Sequence, residues 1–188
     1  MSQIRNASDT TCKRLLRDGE CFADLCNALY FHGRQVIKPE NLISQENDVS
    51  TLIGKEALPM ETKRYRDIVR KASINGEYMI IGVEHQSTLN KNMIIRILNY
   101  DAQLYINQVE SGKEVRPVGS FVFYMGDKEW TYPKSLKESL KVSPEMEDYI
   151  NDWKLPVLEL QKMDPQILKS KRLKEVVEIS QIMLKGDY

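Results

Sequence analysis

The sequence predicts an α/β protein, a sheet flanked by helices in the chain order α-β-β-β-α-β, with further helices after it. Three stretches predict it. Residues 64–86, RYRDIVRKASINGEYMIIGVEHQ, read as two strands joined at Asn75-Gly76, because a type I′ turn needs positive φ at both central residues. Residues 93–109, MIIRILNYDAQLYINQV, repeat apolar residues at helical spacing, with Ile94, Ile97, Leu98, Leu104 and Tyr105 as the stripe. Residues 116–126, RPVGSFVFYMG, read as a buried strand with Pro117 at its entry and Gly126 at its exit.

The elements follow in order. Residues 1–19 are polar and basic, a frayed start or a short amphipathic helix carrying Leu15 and Leu16. ECFADLCNALYFHG, 20–33, forms a first helix with Phe22, Leu25, Cys26 and Leu29 on one side, Glu20, Asp24 and Asn27 on the other, and Gly33 as a stop. RQVIKP supports a short strand ended by Pro39, and residues 40–62 are an irregular excursion with room for a short strand at 51–53. The second hairpin strand, YMIIGVEHQ, is apolar on both faces up to Val83, the pattern of a strand in the middle of a sheet. After the strand at 116–126, residues 126–136 are expected as a loop and 141–153 as a short helix with Pro144 near its first turn. One terminal helix is expected over 164–188, with Asp164 as N-cap and Pro165 at its first position. Its basic residues, Lys169, Lys171, Arg172 and Lys174, precede an apolar series from Val176 to Leu184. The expected organisation is therefore an N-terminal segment at 1–19, a core at 20–135, and a helical appendage at 136–188 that packs on the core or on a second subunit.

Totals narrow the function classes. At 188 residues the chain can bury one sizeable core. Its 27 basic and 27 acidic residues balance, so no overall field gathers nucleic acid, and a polyanion site must come from a local patch or a metal. Cys12, Cys21 and Cys26 have no metal-type spacing, and an odd number suits reduced thiols in a reducing cytosol. No stretch approaches ~18 consecutive apolar residues and no signal-type apolar segment opens the chain, so a cytoplasmic protein without a membrane span is expected.

The chemistry lies on the hairpin. With a two-residue loop, Ile74 faces Glu77, Ala72 faces Met79 and Asp67 faces Glu84. Cβ atoms of such a pair lie roughly 4.5–5.5 Å apart, and like charges there are destabilising, a cost that a bound cation removes. By alternation Tyr65, Asp67 and Val69 share a face with Glu84 and Gln86, while Ile81, Val83 and His85 point the other way, which makes His85 a poor ligand. Paired carboxylates suit Mg²⁺ or Mn²⁺, which prefer oxygen ligands and leave positions open to water and phosphate. Gln86 can orient that water or donate to a phosphate oxygen, but carries no positive charge. The plainer alternative is that Asp67 and Glu84 are salt-bridged among Arg64, Arg66 and Arg70. Asp101 falls in the apolar stripe of its helix and must be paired there, in a network with Arg96 or Tyr100 or at the site itself. Arg96 and Tyr100, one turn apart, could take phosphate or a partner; Arg64, Arg66 and Lys91 are either DNA contacts or solvated charge.

Several motifs together resemble a known family. They are RYRDIV at 64–69, GVEHQST at 82–88, M-x-x-R-x-x-x-Y-D from Met93 to Asp101, PVGSFVFYMGDKEW at 117–130, and FADLCNALYFHGRQVIKPENL at 22–42. The chain resembles the PD-(D/E)XK phosphodiesterase superfamily, whose core runs α-β-β-β-α-β with an Asp on the second strand and Glu-x-Lys on the third. It is most similar there to the recombination-promoting nuclease (Rpn) family, also labelled putative transposase. The resemblance implies a restriction-endonuclease-like core with a central mixed sheet, and a Mg²⁺- or Mn²⁺-dependent DNA endonuclease associated with recombination, mobile elements or defence. It assigns metal binding to Asp67 and Glu84, adds Gln86 to the catalytic set, and offers Asp24 as a third carboxylate, the alternative for Asp24 being a solvated helix residue. Its partners would be DNA and a second copy or a longer homologue. Two departures stand out: Arg66 replaces the Pro of the motif and Gln86 replaces its Lys. Loss of one preorganised charge costs ~10²- to 10³-fold in rate by analogy with oxyanion donors. Gln is common at that position in the Rpn family, and a weak or inactive nuclease-fold protein that binds DNA or regulates a longer homologue is the second reading.

Overall fold

In the computed structural model, which describes residues 14–44 and 68–185, the Asn75-Gly76 turn forms with φ 52° and 87°, the positive values that a type I′ turn requires. It joins β2 (Ile68–Ile74) to β3 (Glu77–Gln86), and the register runs from Ile74 opposite Glu77, through Ala72 opposite Met79, to Ile68 opposite Val83. This is the expected register. β3 is buried from Ile80 to His85, so it sits at the centre of the sheet as its continuous apolar run requires. Five strands pair in the order β1-β2-β3-β4-β5, with β1 at Leu42–Ser44, β4 at Val118–Tyr124 and β5 at Val157–Glu159. The first three are antiparallel and the last three parallel, giving a mixed sheet in a restriction-endonuclease-like α/β fold.

Helices cover both faces. α1 (Gly19–Phe31) is capped by Asp18, whose carboxylate accepts from the Glu20 and Cys21 N–H groups, and it ends at left-handed His32 and Gly33. α1 and Leu173 and Val177 of α4 (Lys171–Lys185) share one core with Ile81, Val83, Phe121 and Phe123. α2 (Met93–Glu110) covers the other face, packing Ile94 and Ile97 against Val122 and Tyr124, and Leu104 against Ile80 and Val118. Strand alternation divides the sheet side chains between these two layers.

Several expectations are corrected. Of the polar side assigned to α1 only Glu20 is exposed: residues 21–28 are all buried, Asp24 under the segment that leads into α4 and Asn27 under residues 35–37. Residues 34–39 form no strand. Asn27 holds them instead, its Oδ1 accepting from the Val36 and Ile37 N–H groups and its Nδ2 donating to the Ile37 carbonyl, so one side chain takes the hydrogen bonds that a neighbouring strand would. The strand lies at β1, after a 3-10 turn at Pro39–Asn41; residues 51–53 lie outside the described residues. The helix expected at 141–153 is a 3-10 turn, Pro144–Tyr149, preceded by α3 (Leu136–Leu140), and β5 was not expected. Asp164 and Pro165 cap only a one-turn 3-10 helix, Pro165–Ile167, and the terminal helix begins at Lys171, where the Leu173 N–H donates to Ser170 Oγ. Residues beyond 135 thus add a strand to the sheet and a helix to the core.

Cys21 and Cys26 are buried free thiols; burial pushes the first up to about 11 and the second higher still, so neither is a reactive thiolate. No helix among the described residues is long and apolar enough to cross a membrane.

Candidate active site

Glu84 stands two residues from the end of the central strand, and alternation turns it to the α2 layer together with Ile80 and Gln86. Its exposure is 2 %. A carboxylate so buried has to be compensated, since an isolated buried charge costs several kcal/mol. Arg96, in the first turn of α2, provides the compensation with Nη2 at 2.6 Å from Glu84 Oε1. Gln86 Nε2 donates to the same oxygen at 3.1 Å. One turn further along α2, Tyr100 accepts from Arg96 Nε through its hydroxyl at 2.8 Å, and its ring centroid lies 5.6 Å from the guanidinium carbon. Four side chains therefore form one unit.

A second buried carboxylate fixes the helix over this unit. Asp101 accepts from Ser120 Oγ at 2.5 Å, and Ser120 lies opposite Gly82, two positions before Glu84 on β3. Arg96 and Asp101 are separated by about 7.5 Å of helix rise, and Glu84 and Gly82 by roughly 6.6 Å of strand. The two polar links match, so α2 is pinned to the sheet in one register running antiparallel to β3. Sequence reasoning missed Ser120, although a single serine in a strand dominated by aromatic and β-branched residues is a signal for it. Asp101 was expected with Arg96 or Tyr100; the hydrogen bond from Ser120 ties it to the sheet.

The other expected site residues fall into two groups, those outside the described residues and those with other partners or in solvent. Asp67 directly precedes β2 and, with Arg64 and Arg66, lies outside the described residues. The register reaches Ile68 opposite Val83, one step short of Asp67 and Glu84. Asp24 has another task than the third ligand expected of it: Oδ2 accepts from the Lys169 and Ser170 N–H groups at 2.7 and 2.8 Å and Oδ1 from Gln35 Nε2 at 3.2 Å, so it ties α1 to the start of α4. Lys91 is exposed in the turn ahead of α2. Arg96, expected as a DNA contact, is turned inward onto Glu84. His85 is buried and alternates to the α1 side.

Oxygen donors of the kind a hard divalent cation takes are present, beside a guanidinium that already neutralises one of them. Glu84 offers a carboxylate and Gln86 an amide oxygen, and the neighbourhood already holds one positive charge against Glu84. Among the described residues no three Asp, Glu, His or Cys side chains gather around a common point. Comparison with curated proteins and with solved structures returns no match. A family model described as "Putative transposase, YhgA-like" matches residues 61–188, a span that includes the hairpin, α2 and the strand that carries Ser120. With more than half of its length inside that match, the chain belongs to the YhgA-like putative transposases, the Rpn group of PD-(D/E)XK-like proteins.

Proposed function

We propose that the chain is a metal-dependent DNA endonuclease that hydrolyses phosphodiester bonds, with Asp67 and Glu84 holding Mg²⁺ or Mn²⁺ and Gln86 beside them. The observation that carries this reading is a carboxylate of 2 % exposure near the end of the central strand, held against a cation, in a chain of the transposase family. Such an ion polarises the phosphoryl group and lowers the pKa of an attacking water. The chain's own residues do the positioning. Gln86 helps fix the Glu84 carboxylate in one orientation, and Arg96 compensates its charge until an ion takes that place. The Gln86 amide, turned from Glu84, can present its N–H groups to a non-bridging phosphate oxygen or to water. The guanidinium of Arg96 is the positive charge nearest to Glu84 in the described site, which bears on the loss of the motif lysine.

That Gln86 donates to Glu84 itself supports a second reading, a nuclease-fold protein that binds DNA or regulates a longer homologue without cutting it. Supercoiled plasmid separates the two. With Mg²⁺ or Mn²⁺ the wild-type chain is expected to nick or linearise it, and Glu84→Gln or Asp67→Asn to lower the rate by at least about 10²-fold. Plasmid that stays intact over a wide protein range, or that both variants cut as fast as wild type, sinks the catalytic reading; intact plasmid that is nevertheless retarded on a gel favours the binding one.

A further inference from the structure

We propose that Arg96 is a built-in competitor of the metal: its guanidinium serves as the internal counter-cation of Glu84, and a divalent ion loads the site only by displacing it. The inference rests on Glu84 being a metal ligand, and adds what holds the site when no metal is bound.

The geometry is specific. Arg96 Nη2 and Gln86 Nε2 both donate to one atom, Glu84 Oε1, at 2.6 and 3.1 Å, so the lone pairs that a cation would take there are already engaged. A guanidinium and a divalent ion on one carboxylate repel each other strongly at such separations. One must leave. Glu84 cannot, because it lies on a central strand at 2 % exposure, whereas the Arg96 side chain is 32 % exposed and has a way out toward solvent. Tyr100 helps hold the guanidinium on Glu84, since its hydroxyl accepts from Arg96 Nε while Nη2 reaches Oε1, and its ring lies beside the guanidinium. The arrangement is a two-position element whose equilibrium the metal biases, and the ion pair lowers the apparent metal affinity in proportion to the fraction of protein in which Arg96 is off Glu84. Without metal the same pair keeps the buried carboxylate compensated, so the fold does not depend on loading.

Mn²⁺ titrated by calorimetry into wild type and variants decides it. Arg96→Gln is expected to bind Mn²⁺ about tenfold tighter than wild type, and its metal-free melting temperature to fall while the rise on adding Mn²⁺ grows. Tyr100→Phe, which keeps the guanidinium but removes one of its holds, is expected to tighten binding by a smaller factor. The proposal is overturned if Arg96→Gln binds Mn²⁺ no more tightly than wild type while Glu84→Gln loses binding; Glu84 then remains a ligand and only the competition fails. If Glu84→Gln binds as wild type does, the metal reading fails and the competition with it. Should circular dichroism show Arg96→Gln unfolded, Tyr100→Phe decides alone: tighter binding supports the competition, unchanged binding overturns it.

Discussion

Asp24 shows how a residue of the expected type can carry a different task. It is buried, and its oxygens answer two main-chain N–H groups at 169 and 170 and the Gln35 amide. Truncation strands the buried Ser170 N–H, at about 1–3 kcal/mol for a group left unsatisfied, and removes the part-buried bonds from Lys169 and Gln35. Asp24→Ala is therefore expected to lose about 2–4 kcal/mol in urea denaturation. Asp24→Asn, if it folds, should bind Mn²⁺ within about twofold of wild type, as distant independent sites do; a large loss of affinity would return Asp24 to the metal site. Glu159 is a second buried acid with a structural task. Burial pulls its pKa up, but the Trp130 N–H and the Lys134 ammonium, joined by Lys162, outweigh that and hold it below the usual carboxylate value. A depressed folded pKa stabilises above the unfolded value, about 4.3 for Glu, and that stability disappears as pH falls through the folded value. Melting temperatures of Glu159→Gln should be lower than wild type near neutrality and should converge with it as pH drops below about 4.3; a constant gap down to strong acid would refute the linkage.

At the scale of elements, turns and caps divide into those set by local sequence and those set from afar. Gly76 has φ 87° with open space where a side-chain methyl would stand, so Gly76→Ala costs only backbone strain, about 1 kcal/mol. Gly33 has φ 82°, and a Cβ there would meet Ile167 Cβ at 2.8 Å and its carbonyl oxygen at 3.1 Å, so Gly33→Ala adds a clash to the same strain. Thermal unfolding should show Gly33→Ala as clearly the worse of the two, and equal losses would mean that the contact with Ile167 yields freely. The same division explains what could be read in advance. The hairpin and its register were legible because the turn and the alternation of β3 are properties of neighbouring residues, and with them came Glu84 and Gln86 on one face. α2 was legible from its stripe. The strand assigned to 34–39 failed because Asn27, on the preceding helix, took over the hydrogen bonds, and the single terminal helix failed because Asp24 and Ser170 set its start at Lys171. Arg96 on Glu84 and Asp101 on Ser120 depend on how a helix lies across a sheet, which no local spacing states.

For the whole molecule the sharpest test concerns residues beyond 135, which the sequence presents as an appendage. The structure makes them part of the core: β5 pairs with β4, and Leu173 and Val177 of α4, each at 0 % exposure, lie in the same cluster as Phe22, Leu25 and Phe121. Burying a side chain of this size is worth about 1.5–3 kcal/mol, and removing α4 uncovers the apolar residues of α1. Set against a total stability of about 5–15 kcal/mol, that loss is of the order of the whole. A chain ending at residue 170 is therefore expected to lose its cooperative thermal transition and near-ultraviolet circular dichroism and to bind a hydrophobic dye. The outer side of α4 behaves differently. Ile179, Ile182 and Met183 are more than half exposed, and replacing all three by Ser in the full-length chain should leave stability within about 0.5 kcal/mol per site. A truncated chain that still melts sharply would mean that the sheet, α1 and α2 fold without their cover, and that α4 is the separable appendage its sequence suggests.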